Sequence, residues 1–204
     1  MTDERVVFGS AARYFASLVR LVPDDAWSAP GLGEWSVRDL VGHASRSLIT
    51  VSGYLQTPAA HEDVTDAAGY YVRIADYAAS AGAAAIVERG RQAGRDLGQD
   101  PAAAVDGLVE RALRDVEDAC DPLIEVIGGL GLRLSTYLPT RTFELAVHGL
   151  DIASAVGVTH PPPVEVQAES AALAARIGVA LGRGPALLFA LTGRAALPPG
   201  FSVV

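Results

Sequence analysis

Lysine is absent from this 204-residue chain, and all 16 basic residues are arginines. That excludes a lysine Schiff base and a P-loop lysine. Cysteine is nearly absent. The lone Cys120 excludes an internal disulfide, a CxxC redox pair and a thiolate-rich zinc site. Positive charge is in deficit, with 24 acidic residues and a net charge of −8, so the basic face that general nucleic-acid binding needs is missing. Long apolar runs are missing too. The most apolar late stretch, Pro185 to Leu191, is far too short to span a bilayer. The start, Thr2-Asp3-Glu4-Arg5, has no basic region followed by an apolar run. The expectation is a cytoplasmic protein with neither nucleic acid nor membrane as a partner.

What the chain does have is helix. Hydrophobic residues make up 50% and charged residues 20%, the balance of a folded globular chain. Alanine, leucine and arginine dominate, and β-branched runs are scarce. A first helix is predicted from about Asp3 to Val22, with Val7, Ala11, Tyr14, Phe15, Leu18 and Val22 on one face. Ser36 and Asp39 form a variant capping box for a second helix that ends near Gln56. A third helical stretch, Ala67 to Leu97, breaks near Gly82. Asp100-Pro101 starts another, expected to run to Ile127 and to carry Cys120 as a small packing residue. An irregular connector is expected over Leu132 to Leu138, before Pro139. Further helices are expected over Thr140 to Val156, Val164 to Leu181 and Pro185 to Thr192. No linker is long enough to separate two domains, so residues 1–204 read as a single all-α domain, a bundle of five to seven helices.

The sharpest chemical feature is Glu144-Leu145-Ala146-Val147-His148. Residues four apart share a helix face, so Glu144 and His148 can reach one metal ion. Asp151 continues that face and Arg141 precedes it by a turn. His43, on the second helix, would have to meet this pair across the bundle, where such sites are built. An i,i+4 pair is by itself ordinary surface stabilisation, and His43 alone reads as a boundary histidine. Two half-buried histidines and a glutamate without partners would be costly, which favours a shared ligand. His61, in a Pro-Ala-Ala-His loop, and His160, before three prolines, read as solvated.

Two segments resemble a known family. Gly33-Glu34-Trp35-Ser36-Val37-Arg38-Asp39-Leu40-Val41-Gly42-His43 is similar to the first signature of the mycothiol-dependent maleylpyruvate isomerase N-terminal domain, part of the DinB-like metal-binding superfamily. Arg141-Thr142-Phe143-Glu144-Leu145-Ala146-Val147-His148-Gly149-Leu150-Asp151, continuing to Gly157, is similar to its second signature. Leu191-Thr192-Gly193-Arg194 resembles a third, shorter element. The resemblance implies a DinB-like four-helix bundle with additional short helices. It also implies a divalent metal, usually zinc, held by His43, Glu144 and His148. Asp151 would then orient a ligand from behind, and Arg141 would contact an anionic substrate or pair with a surface acid.

Isomerases of this type carry a second domain that completes the active site, and the 204 residues are expected to lack it. The leading functional expectation is a metalloenzyme using a low-molecular-weight thiol, mycothiol, against an electrophilic small molecule, as an isomerase or S-transferase. With only Cys120 present, the sulfur must come from the cosubstrate. Two alternatives are a metal-dependent hydrolase of amides or esters, and a non-catalytic regulatory module, for which Val37 to Leu55 has a faint helix-turn-helix flavour. A homodimer is compatible with all three.

Overall fold

The computed structural model describes residues 3–204, the side chains of 76–81 and 83 excepted. Helix α1 (Glu4–Val19) is capped by Asp3, whose carboxylate accepts from the Arg5 amide, and it buries Phe8, Phe15 and Leu18. Helix α2 (Val37–Tyr54) begins at a reciprocal box. The Asp39 amide donates to Ser36 Oγ, and the Ser36 amide donates to Asp39 Oδ2. It runs 18 residues without a turn, which removes the helix-turn-helix reading of Val37 to Leu55. Helices α3 (Ala67–Ala81) and α4 (Ala83–Asp96) part at Gly82, as the sequence predicts.

Helix α5 (Pro101–Asp118) starts at the Asp100-Pro101 signal but ends well before Ile127. It leaves the helical region at Ala119 (φ −84, ψ 138), three residues ahead of Pro122, and Asp121 takes φ 55. Strand β1 (Leu123–Val126) then pairs antiparallel with β2 (Leu130–Arg133), Leu123 opposite Arg133. Gly128 and Gly129 supply the positive φ that the tight turn between them needs. Cys120 therefore lies outside the helix and is exposed, not packed.

The expected connector over Leu132 to Leu138 is in fact mostly helix. Helix α6 (Leu134–Ala155) starts at Leu134 and carries Pro139 inside it. The Asp121 carboxylate, from before the hairpin, accepts from the Ser135 amide at 2.7 Å and from Ser135 Oγ at 3.0 Å. That distant cap satisfies the first turn, so the helix begins ahead of its proline. Helices α7 (Val164–Ala180) and α8 (Gly184–Leu191) complete eight α-helices among the described residues.

Helices α1 and α2 each border both α5 and α6, so the four close a ring around one core. Phe8, Phe15, Leu40, Leu48, Leu145 and Ile152 fill it and are essentially sealed from solvent. Each such side chain stabilises the fold by about 1.5–3 kcal/mol, whereas an exposed i,i+4 pair such as Arg111–Asp115 adds about 0.3–0.5 kcal/mol. Core burial therefore holds the bundle. The fold is all-α, as expected. Helix α4 lies directly on α2: a Cβ at Gly42 would fall on the backbone of Gly94, so the two helices touch main chain to main chain. No helix is long and apolar enough to cross a membrane.

Candidate metal centre

The capping box fixes where α2 starts, and its apolar face (Val37, Leu40, Val41, Ala44, Leu48) turns into the core. His43 sits at the edge of that face, half-buried. On α6, Leu145, Ala146 and Ile152 anchor the helix to the core. Glu144, His148 and Asp151 then line the neighbouring stripe at helical spacing. The bundle brings the stripe and His43 together: one donor atom from each of His43, Glu144 and His148 lies within 4.8 Å of the others. The His43 and His148 rings meet edge to face at 4.9 Å.

Each group has a defined support. His148 Nε2 lies 3.3 Å from Glu144 Oε2, and its Nδ1 lies 3.2 Å from Asp151 Oδ2. The Tyr71 hydroxyl donates to Glu144 Oε1 at 2.7 Å. The Trp35 indole lies over His43 at 4.3 Å and donates its N–H to the Val87 carbonyl on α4. His43 Nδ1 is buried with no hydrogen-bond partner among the described residues.

The electrostatics divide the two imidazoles. Burial, reinforced by the neighbouring His148, holds His43 down at about 4, so it is neutral at pH 7 and has a lone pair to give. Burial would lower His148 as well, but hydrogen bonds to Asp151 and Glu144 more than offset it and push it up to about 9. Burial disfavours the Glu144 carboxylate, yet His148, Arg141 and Tyr71 together hold it down at about 2. A donor set of two imidazoles and one carboxylate, with an orphaned nitrogen, fits a divalent cation with a position to spare.

A cavity of about 180 Å³ opens beside this cluster, with His43, Glu144, Arg141, Tyr70 and Tyr137 in its wall. Arg141 does not pair with a surface acid. Its guanidinium packs over Tyr137 at 4.7 Å and Tyr70 at 5.7 Å, and its Nε donates to Thr140 Oγ1. His61 is exposed, as its loop suggests. His160 is not solvated: it is half-buried, 2.7 Å from Ser17 Oγ and stacked on Tyr14. Tyr71 carries no signal in the sequence, because its contact with Glu144 joins α3 to α6, 73 residues apart in the chain.

A four-helix core with a His/Glu/His cluster between two of its helices defines a class of metal-site bundle. Within that class, the model of the mycothiol maleylpyruvate isomerase N-terminal domain matches residues 8–153, most of the chain and both clustered segments, and the protein belongs to this family. No curated protein and no solved structure matches the chain.

Proposed function

We propose that the protein binds one divalent cation, zinc by the character of the donors, through His43, Glu144 and His148, and that it works with a small thiol such as mycothiol as an isomerase or S-transferase. The observation that carries this reading is the convergence of the three donor atoms within 4.8 Å, inside a family defined by mycothiol-dependent chemistry. A bound cation supplies Lewis acidity, which makes a thiol far more acidic than its free pKa of about 8.5.

The chain's own residues prepare the place. Neutral His43 offers its lone pair without first losing a proton. Asp151, accepting from His148 Nδ1–H, turns Nε2 toward Glu144 and the cluster. Tyr71 holds Glu144 Oε1 and leaves Oε2 facing His148. Trp35 covers one face of the His43 ring. Cys120 is exposed and outside the cavity wall, which supports an external thiol.

Metal analysis of the purified protein tests this. One equivalent is expected in the wild type and none in Glu144→Ala or His148→Ala, with mycothiol binding by calorimetry only to the loaded protein. A His148→Ala variant that holds zinc as tightly as wild type would sink the assignment.

A further inference from the structure

We propose that the outward face of helix α8 is a surface anchor that seats the protein on a lipid bilayer with anionic headgroups. The face is independent of the metal reading and lies past residues 8–153, which the family model matches.

Helix α8 reads Gly-Pro-Ala-Leu-Leu-Phe-Ala-Leu, with no charged and no hydrogen-bonding side chain. A helix that is apolar all round belongs in a core or in lipid. Yet within α8 only Gly184 is buried. The helix packs mainly on α7, where Leu187 turns inward against Gly178. Leu188, Phe189 and Leu191 turn outward and are 63%, 53% and 76% exposed. Together they offer roughly 350 Å² of apolar surface on a protruding tip. A helix of 8 residues is only about 12 Å long, so it cannot span a bilayer. The sequence, read for spans alone, points away from membranes, but a seat in the headgroup layer needs no span.

Charge identifies the partner. All 24 acidic residues of the chain lie at or before Glu169. From Ser170 to Val204 the only charged side chains are Arg176, Arg183 and Arg194. All three are exposed, and none forms an ion pair among the described residues. Arg183 stands at the start of α8, a cation at the positive end of a helix, and Arg194 follows its other end. The Ser202 carbonyl and the Phe201 ring, 5.6 Å away, hold the Arg183 guanidinium at the rim. A protein of net charge −8 thus carries one apolar tip with a purely cationic border. Guanidinium groups pair with phosphate, while the leucines and the phenylalanine enter the acyl boundary. The acids elsewhere matter little, because at physiological salt a charge acts over only about 8 Å.

A second copy of the chain suits this face less well. Meeting about a two-fold axis, it would bring the same face and only arginines to arginines. The tip also supplies less than half of the roughly 800 Å² that each partner of a stable dimer buries.

The test is flotation of the whole protein with two sets of vesicles, phosphatidylcholine alone and phosphatidylcholine mixed with phosphatidylglycerol, beside sedimentation equilibrium without lipid. The wild type should bind the mixed vesicles reversibly, with a partition constant on the order of 10⁴ M⁻¹, and the neutral ones at least about tenfold more weakly. Leu191→Asp places a charge on the exposed tip and should abolish binding with helicity and metal content unchanged. Arg194→Gln should weaken binding about fivefold. Should Leu191→Asp fail to fold by circular dichroism, Leu188→Ser replaces it, with a smaller loss of binding expected. A wild type that floats with neither vesicle overturns the proposal. So does binding that is equal on neutral lipid, or that the folded tip variant leaves intact. A dimer that the tip variant dissolves would assign the face to a second copy and overturn it too. Vesicle binding by a protein that loads no metal would remove the metal reading and leave this one standing.

Discussion

The protein holds two histidine clusters, and they use similar residues to different ends. One gathers His43, His148 and Glu144 between α2 and α6. The other gathers Tyr14, Ser17 and His160 between α1 and the segment that follows α6. In the second, Ser17 Oγ lies 2.7 Å from both the Tyr14 carbonyl and His160 Nε2. Among the described residues no carboxylate backs the ring and the buried Tyr14 hydroxyl has no partner, burial pushing it up to about 12. In the first cluster, carboxylates flank His148 on both ring nitrogens and a cavity opens alongside. Carboxylate support and access, rather than histidine itself, separate a chemical centre from packing.

Proton competition gives the largest measurable contrast. His148 is protonated in the metal-free site below about 9, whereas His43 (about 4) and Glu144 (about 2) have already lost their protons near neutrality. Metal uptake must therefore expel one proton, from His148. Apparent zinc affinity should rise about tenfold per pH unit, or about a hundredfold from pH 6 to pH 8, and level off above about 9. Calorimetry in buffers of different ionisation heat should count one proton released per metal; zero protons would place the cation elsewhere.

A second contrast is the support behind the ligand. Asp151→Asn keeps the shape but weakens the acceptor for His148 Nδ1, and should cost about 10–100-fold in metal affinity, measured above pH 9 where protons no longer compete. It should also shift the plateau of the pH profile downward, because the Asp151 contact helps to raise His148. An unchanged plateau would mean that Asp151 does not act through the imidazole.

The smallest effect belongs to the other cluster. His160→Ala removes a hydrogen bond and a stacked ring, and should cost about 1–2 kcal/mol of stability in urea unfolding. Metal content should stay at the wild-type level. A loss of metal in this variant would erase the distinction between the clusters.

Local signals made much of this readable in the chain. The Ser36/Asp39 box, the Asp100-Pro101 start and the break at Gly82 all rest on neighbours in sequence, and each stands where it was expected. The stripe Glu144, His148 and Asp151 follows from helical spacing alone. Its meeting with His43 depends on bundle packing, which the cost of unpartnered histidines suggested and the family resemblance reinforced. The start of α6 was hidden because its cap, Asp121, lies on the far side of a hairpin. Asp121-Pro122 signals that α5 ends before Pro122, but the helical pattern running past it was the stronger cue. Tyr71 was hidden for a different reason: nothing about a tyrosine on α3 tells which carboxylate it will find.

The main-chain contact of Gly42 with Gly94 has a consequence for how such a protein can change. The donors His43, Glu144 and His148 stand on α2 and α6, while α3 and α4 present Tyr70, Ile74, Ile86 and Arg89 to the cavity. The glycine contact fastens α4 to α2, one residue from His43. Part of the cavity wall thus stands on helices that carry none of the three donors, and one of these, α4, is pinned to α2 too tightly for any side chain. Exchanges at Ile74 or Ile86 can reshape the cavity while His43, Glu144 and His148 keep their places.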